Sequence, residues 1–404
     1  MMKELYRIQT AETSLNVVQG KIDSVRRKQI VKSGCRVYED GFIGIAGTLG
    51  EATEDTWQQA VENLERKVPY PYAPEQNCRR HEDRAEEILD ASVFIQRTEA
   101  LLDRLRAAFP RIVLSNKVNM TEYRVSLTNT AGLDYQFRDH FYTVVLLAKD
   151  IDSSSVYDTV VEYESRIFDV DAVFADAAEL LQAHQIPAVL PDDSALPVIV
   201  MPNLFTEPLD QALNGQLFHR KASLLSGKQG QQVFSPDLTL RVDKTAENFC
   251  VPFFDAEGTV LPGDQITLIE NGVLLRPYTD KKTAAEFGGS RTGAGSGSYD
   301  DLPQLDSPVE SFSHSGKTLR ELLQGRDAAF VVMASGGDCT ADGSMATPVQ
   351  TAYLYRDGTL LGRLPEFSIR GSLFDLLGKN YLGYSKDRPF FGWRWLAVLA
   401  EVVP

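Results

Sequence analysis

Five histidines and four cysteines are the side chains best suited to hold a metal or attack a carbonyl in this 404-residue sequence. Their spacing argues against the familiar ways of doing either. His81, His140, His184, His219 and His314 are dispersed, and no two stand at the i, i+4 separation that lets one helix offer two imidazoles to a metal. Cys35, Cys78, Cys250 and Cys339 form no Cys-x-x-Cys pair, which removes a zinc ribbon and leaves four free thiols. Cys339 follows the apolar run Phe330–Met333 and the turn Gly336-Gly337-Asp338, a place where a reactive thiol could sit. No basic residue adjoins it, so an inert thiol is the expectation. No Gly-x-Ser-x-Gly elbow follows a strand, and His140 on its long strand is expected to be a paired surface or interface residue. Ser315-Gly316-Lys317-Thr318 looks like the end of a phosphate loop, but Ser311 stands where the loop needs its first glycine. Gly293-Ala294-Gly295-Ser296-Gly297 lacks the strand and helix of a dinucleotide site.

The elements that would position these residues divide the chain into two styles. The first part mixes strands and helices. Gly34–Tyr38 and Phe42–Ala46 flank Asp40-Gly41, a hairpin signal because both central residues of a type I′ turn need positive φ. Apolar spacing predicts helices from about Glu54, over Glu82–Phe109 with Ile88, Ile95, Leu102, Leu105 and Phe109 inward, and over Val170–His184. Strands are expected at Ile112–Leu114 and Tyr123–Leu127, and in a long run that turns Tyr135, Phe137, Phe141, Thr143, Val145 and Leu147 to one face. The proline-rich stretch Pro187–Pro197 marks a boundary. Beyond it a helix is predicted over Thr206–Leu217, with Thr206 as its cap, followed by many short strands and a short helix at Thr318–Leu323. The fold class is therefore α+β: an N-terminal α+β domain over 1–187, its strands packed with two or three helices, and a mainly-β, barrel-like domain over 188–404.

Charge excludes one class of partner. The balance of 41 basic and 56 acidic residues gives −15, whereas nucleic-acid binders carry a basic face. The one basic run, Arg26-Arg27-Lys28, reads as a solvated strand or loop. No stretch approaches the roughly 18 to 20 apolar residues of a membrane helix. The opening residues Met1–Arg7 lack an apolar core and a cleavage site, so a cytoplasmic protein is expected.

An ordered set of short motifs carries a resemblance. Gly34-Cys35-Arg36-Val37-Tyr38-Glu39-Asp40-Gly41-Phe42-Ile43-Gly44 comes first, then Leu127-Thr128-Asn129-Thr130-Ala131-Gly132. Ser226–Pro236 follows, and then Phe254-Asp255-Ala256-Glu257-Gly258 with Leu268-Ile269-Glu270-Asn271-Gly272-Val273-Leu274. Gly316–Leu323 and Leu354–Gly358 complete the order. Together they resemble the TldD/PmbA family, also called modulator of DNA gyrase, and most of all its TldE/PmbA-like subunits. The resemblance runs over nearly the whole chain.

The resemblance implies the two-domain architecture above and a metallopeptidase-related role in proteolysis. In TldD-type subunits His-Glu-x-x-x-His on a helix, with a cysteine nearer the C-terminus, holds zinc, leaves a position for water and supplies a glutamate base. Alignment through Arg220-Lys221-Ala222-Ser223 lays that motif over Glu207–Ala212, so Glu207 and Ala212 stand for the histidines and Pro208 for the base. The expectation is a non-catalytic subunit with no cofactor of its own. Zinc would then reside in a TldD-type partner, and the pair would enclose a chamber for unfolded peptides. Two alternatives stand beside it: a metal-free, stand-alone peptide-binding or scaffold protein, and a hydrolase using unfamiliar residues such as Cys339 or His219. Without a partner the chain is expected to form a homodimer. Gly288–Asp301 reads as a flexible loop, and within it Gly288–Ser298, with Gly288, Gly293, Gly295 and Gly297, is the candidate flap over the peptide chamber.

Overall fold

The computed structural model describes residues 1–86, 88–191 and 195–404. Two long hairpins found the N-terminal half. Strands β1 (Met2–Val18) and β2 (Lys21–Glu39) pair along almost their whole length, and β3 (Phe42–Leu49) returns on β2 through the expected turn. Asp40 and Gly41 both take positive φ, 51° and 81°, as a type I′ turn demands. Helix α1 (Glu54–Asn63) starts behind a capping box made by Thr53 and Thr56. Short β4 (Val68–Pro69) lies outside β3, and β5 (Arg79–Asp83) follows in sequence. After α2 (Ala91–Ala108) come β6 (Ile112–Asn129), β7 (Asp134–Asp150), β8 (Thr159–Ser165) and α3 (Val170–His184). The sheet runs β4-β3-β2-β1-β6-β7, with β5 parallel to the start of β7 and β8 antiparallel to its end.

Three sequence expectations are corrected here. The helix expected from Glu82 begins only at Ala91, because Arg79–Asp83 joins the sheet edge and Arg84 is tied down beyond it. The Arg84 guanidinium donates to the carbonyls of Lys244, Thr245 and Val251, which holds that stretch extended. The two strands expected between Ile112 and Leu127 are one continuous strand. In β7 the buried face changes parity, from Tyr135 and Phe137 to Tyr142, Val144 and Leu146. Asp139 and His140 are both fully buried at the change. His140 is thus an interior residue, its Nε2 2.8 Å from the Arg166 carbonyl, and not a surface one.

Beyond Pro187 the chain is mainly β. Strand β9 (Leu196–Val200) is buried at every position. It pairs in parallel with Ala328–Ala334 and antiparallel with Leu396–Val403. Leu396–Val403 pairs with Phe367–Ser372, which pairs with Ser344–Arg356, and this last strand closes back on Ala328–Ala334. These five strands form a closed barrel. A separate sheet carries Leu240–Asp243, Gln265–Glu270, Val273–Leu274 and Glu310–Phe312. The closing strands Phe367–Ser372 and Leu396–Val403 have no counterpart in the sequence expectations.

The helix expected over Thr206–Leu217 is two helices, α4 (Thr206–Leu213) and Gly215–His219. Asn214 breaks the run with ψ 116°, and its side chain caps the second piece by accepting from the Gln216 and Leu217 N–H groups. One apolar core gathers α4, the barrel and the smaller sheet. A second crosses between the halves, joining Leu101, Leu105, Leu180 and Val144 to Phe330, Tyr353 and Trp395.

Candidate functional site

Helix α4 is where the resemblance places the metal motif, and the barrel fixes its surroundings. Pro208 sits in the first turn, where its missing N–H has no helical partner to lose. Pro208, Leu209, Ala212 and Leu213 face inward, while Glu207 and Gln211 are exposed. The Ala212 carbonyl accepts the Ser223 hydroxyl. Asp210 turns toward the smaller sheet and accepts the Ser307 hydroxyl.

The structure brings Cys339 to this helix, a juxtaposition not legible from the sequence spacing. Asp338–Cys339 pairs with Met345 and Ala346 at the barrel's rim. A cavity of about 290 Å³ is lined by Met201, Leu204, Glu207, Pro208, Val331 and Cys339 among others. A second, of about 470 Å³, meets Pro208 and Cys339 from the other side, with Gln211, Ala212, Lys221 and Ser223. The two cavities make a groove that passes over α4 at Pro208.

The groove's donors do not fit zinc. On the resemblance Glu207 and Ala212 would stand at the two imidazole positions and Pro208 at the base's, and none of the three can do that chemistry. Partial burial, with the nearby charges of Glu207 and Asp342, raises the Cys339 thiol above its ordinary value. In the absence of a metal this favours the protonated form over the nucleophilic thiolate. Among the described residues no group of three or more His, Cys, Asp or Glu could hold a metal ion. His219, the other candidate, stacks on Phe287 with ring centroids 4.7 Å apart.

The candidate flap divides into fixed and open parts. Gly288 and Gly297 are exposed, whereas Gly293 and Gly295 are buried. The Gly295 N–H donates to Asp255 Oδ2, and Thr292 is hydrogen-bonded to Thr279 in both directions. A Cβ on Gly295 would fall 2.5 Å from Glu257 Cγ. The segment 292–295 is therefore packed, and only its flanks could move as a flap.

What packs against it is a polar network built from the recognition motifs themselves. Asp255 accepts from the N–H groups of Glu257 and Thr259, closing the turn around Gly258. Glu257 accepts the Tyr70 hydroxyl at 2.7 Å and the Lys281 N–H at 2.8 Å. Burial and the charge of Asp255 push its carboxyl up to about 7. Arg36, fully buried, donates to the Ala256 carbonyl at 2.5 Å and lies 3.4 Å from Glu4. Gly34 has no Cβ because the Tyr299 carbonyl oxygen lies 1.7 Å from where it would be. The early hairpin and the Phe254–Gly258 motif thus form one joint between the N-terminal sheet and the C-terminal half.

A long mixed sheet with helices, joined through this network to a closed barrel beside a short motif-bearing helix, is the α+β architecture that the resemblance implies. Sequence comparison agrees. Residues 194–397 match the PmbA/TldA metallopeptidase C-terminal domain, and residues 4–67 match domain 1 of the same family. The chain belongs to the PmbA/TldD family. It is 26% identical over 376 residues to an uncharacterized protein of Methanocaldococcus jannaschii, covering 89% of this chain and 86% of that one. A protein named metalloprotease TldD homolog, from Buchnera aphidicola, is 30% identical over 182 residues, 44% of this chain and 37% of that protein. Among solved structures, TldE from Thermococcus kodakarensis superposes with a TM-score of 0.76 at 17% identity, covering 100% of this chain and 96% of that one. A Thermotoga maritima protein described as a putative modulator of a DNA gyrase gives 0.76 at 20% identity, covering 100% and 95%.

Among the described residues no helix is long and apolar enough to cross a membrane. The four cysteines are free.

Proposed function

We propose that this chain is a non-catalytic, TldE-like subunit that pairs with a zinc-bearing TldD-type protease in the cytoplasm and helps enclose a chamber for unfolded peptides. The supporting observation is the composition of the groove at α4: the resemblance lays the metal motif over Glu207, Pro208 and Ala212, and this helix offers no imidazole there. The groove offers shape without the ligands that peptide hydrolysis by zinc requires. In the absence of a partner the subunit forms a homodimer.

Co-purification with a His-Glu-x-x-x-His protein, together with metal analysis of the chain alone, tests this reading. The expected result is capture of that partner, with well below one zinc per chain and no peptidase activity in the isolated subunit. One zinc per chain, with chelator-sensitive peptidase activity lost in Glu207→Ala, would overturn it.

A further inference from the structure

The outer margin of the N-terminal sheet carries a feature that neither the barrel nor the α4 groove uses. Strand β3 covers β2 only from Lys32 to Glu39, and the Val31 carbonyl receives the Gly50 N–H just beyond. From Lys21 to Ile30, β2 is paired on one side alone, by β1. Main-chain groups alternate in direction along a strand. Since Val31 directs its carbonyl outward, Val25, Arg27 and Gln29 direct their N–H and C=O groups outward as well. Among the described residues these groups have no main-chain partner outside the strand's own ladder.

The side chains of this edge are equally unengaged. Residues 23–29 are all exposed. Lys21, Arg26, Arg27 and Lys28 carry four positive charges against one negative, Asp23, and none of the four forms an ion pair with a described residue. The whole chain carries −15, so this is a cationic margin on an acidic protein. Edge lysines and arginines prevent indiscriminate strand pairing. They reject a second copy of the same edge, because antiparallel pairing of two such strands would juxtapose like charges. The same charges admit an acidic strand.

We propose that Lys21–Ile30 of β2 is a strand-addition site for an extended acidic peptide segment. Main-chain bonds to Val25, Arg27 and Gln29 supply the affinity, and the four cations select the sign of charge. This goes beyond the subunit role above and does not depend on it. Nucleic acid would meet the same cations but has no use for an open ladder, and the chain's net charge repels it.

The probe is a fluorescein-labelled twelve-residue peptide of alternating glutamate and valine, with a lysine–valine peptide and a twelve-nucleotide single-stranded DNA as comparisons. The expected result is saturable binding of the glutamate peptide alone. Arg27→Pro removes an outward N–H without breaking the bond ladder to β1, since edge strands tolerate proline. It should weaken binding at least about tenfold, as should Arg26→Glu/Arg27→Glu/Lys28→Glu. Hydrogen exchange on the unmodified protein gives a second readout, with the amides of Val25, Arg27 and Gln29 slowed when peptide is added. Equal binding by Arg27→Pro, unchanged exchange at those amides, or equal binding of the DNA would each overturn the proposal.

Discussion

The α4 groove and the joint around Arg36 and Asp255 were both read from family motifs, yet they are physically opposite. At the joint nearly every motif side chain is buried and bonded to a neighbour: Arg36 to Ala256 and Glu4, Asp255 to three N–H groups, Glu257 to Tyr70 and Lys281. At the groove Glu207 and Cys339 are exposed, and the substituted positions Pro208 and Ala212 are held by apolar packing. A buried bonded network cannot lose one member cheaply. A surface groove can lose its chemistry and leave the fold intact. That difference sets how strongly each region should respond to substitution.

The contrast is most sharply tested by removing Arg36. Arg36→Met leaves Glu4 buried without its cation and the Ala256 carbonyl without a donor, and should cost about 3–5 kcal/mol. Urea denaturation measures this, and a loss under about 1 kcal/mol would show that the joint tolerates damage as the groove does. A smaller effect is expected at Glu310, which lies behind α4 beside Asp210. Burial, then the charge of Asp210, pushes its carboxyl up to about 8, and its Oε1 has no hydrogen-bond partner among the described residues. The folded state therefore holds this proton more tightly than the unfolded chain does. The stabilisation is complete below the ordinary carboxylate range and is lost as pH rises toward 8. Glu310→Gln should raise stability at pH 8 by roughly 1–3 kcal/mol and leave it little changed at pH 4. Some pH dependence should survive, since Glu257 and Asp176 are raised in the same direction. The smallest effect belongs to the groove: Glu207→Ala should shift stability by no more than about 0.5 kcal/mol. A larger loss would mean that Glu207 supports the fold.

Local signals in the sequence were read well where one physical cause dominated. The Asp40-Gly41 turn and the Val170–His184 helix both stand where the pattern predicts. Errors arose where distant residues decide. The start of α2 depends on Arg84 reaching carbonyls of Lys244, Thr245 and Val251, which no local periodicity encodes. The break at Asn214 was hidden because apolar residues continue on both sides of it. His140 looked like a surface residue because the buried face of β7 changes parity beside it. The placing of the metal motif over Glu207, Pro208 and Ala212 came from the resemblance, through Arg220–Ser223. The approach of Cys339 to Pro208 did not, since it is made by barrel closure between residues far apart in sequence.

The closed barrel also sets an order of events during synthesis. Strand β9 emerges first, buried at all five positions in the finished protein, but both of its ladder partners, Ala328–Ala334 and Leu396–Val403, are made much later. Until then it is an apolar segment with two open edges, the kind of intermediate that aggregates or recruits a chaperone. The N-terminal sheet has no such delay, because its strands have all emerged by Ser165. A nascent chain halted before Leu396 should therefore present a fully paired N-terminal sheet attached to an unclosed barrel.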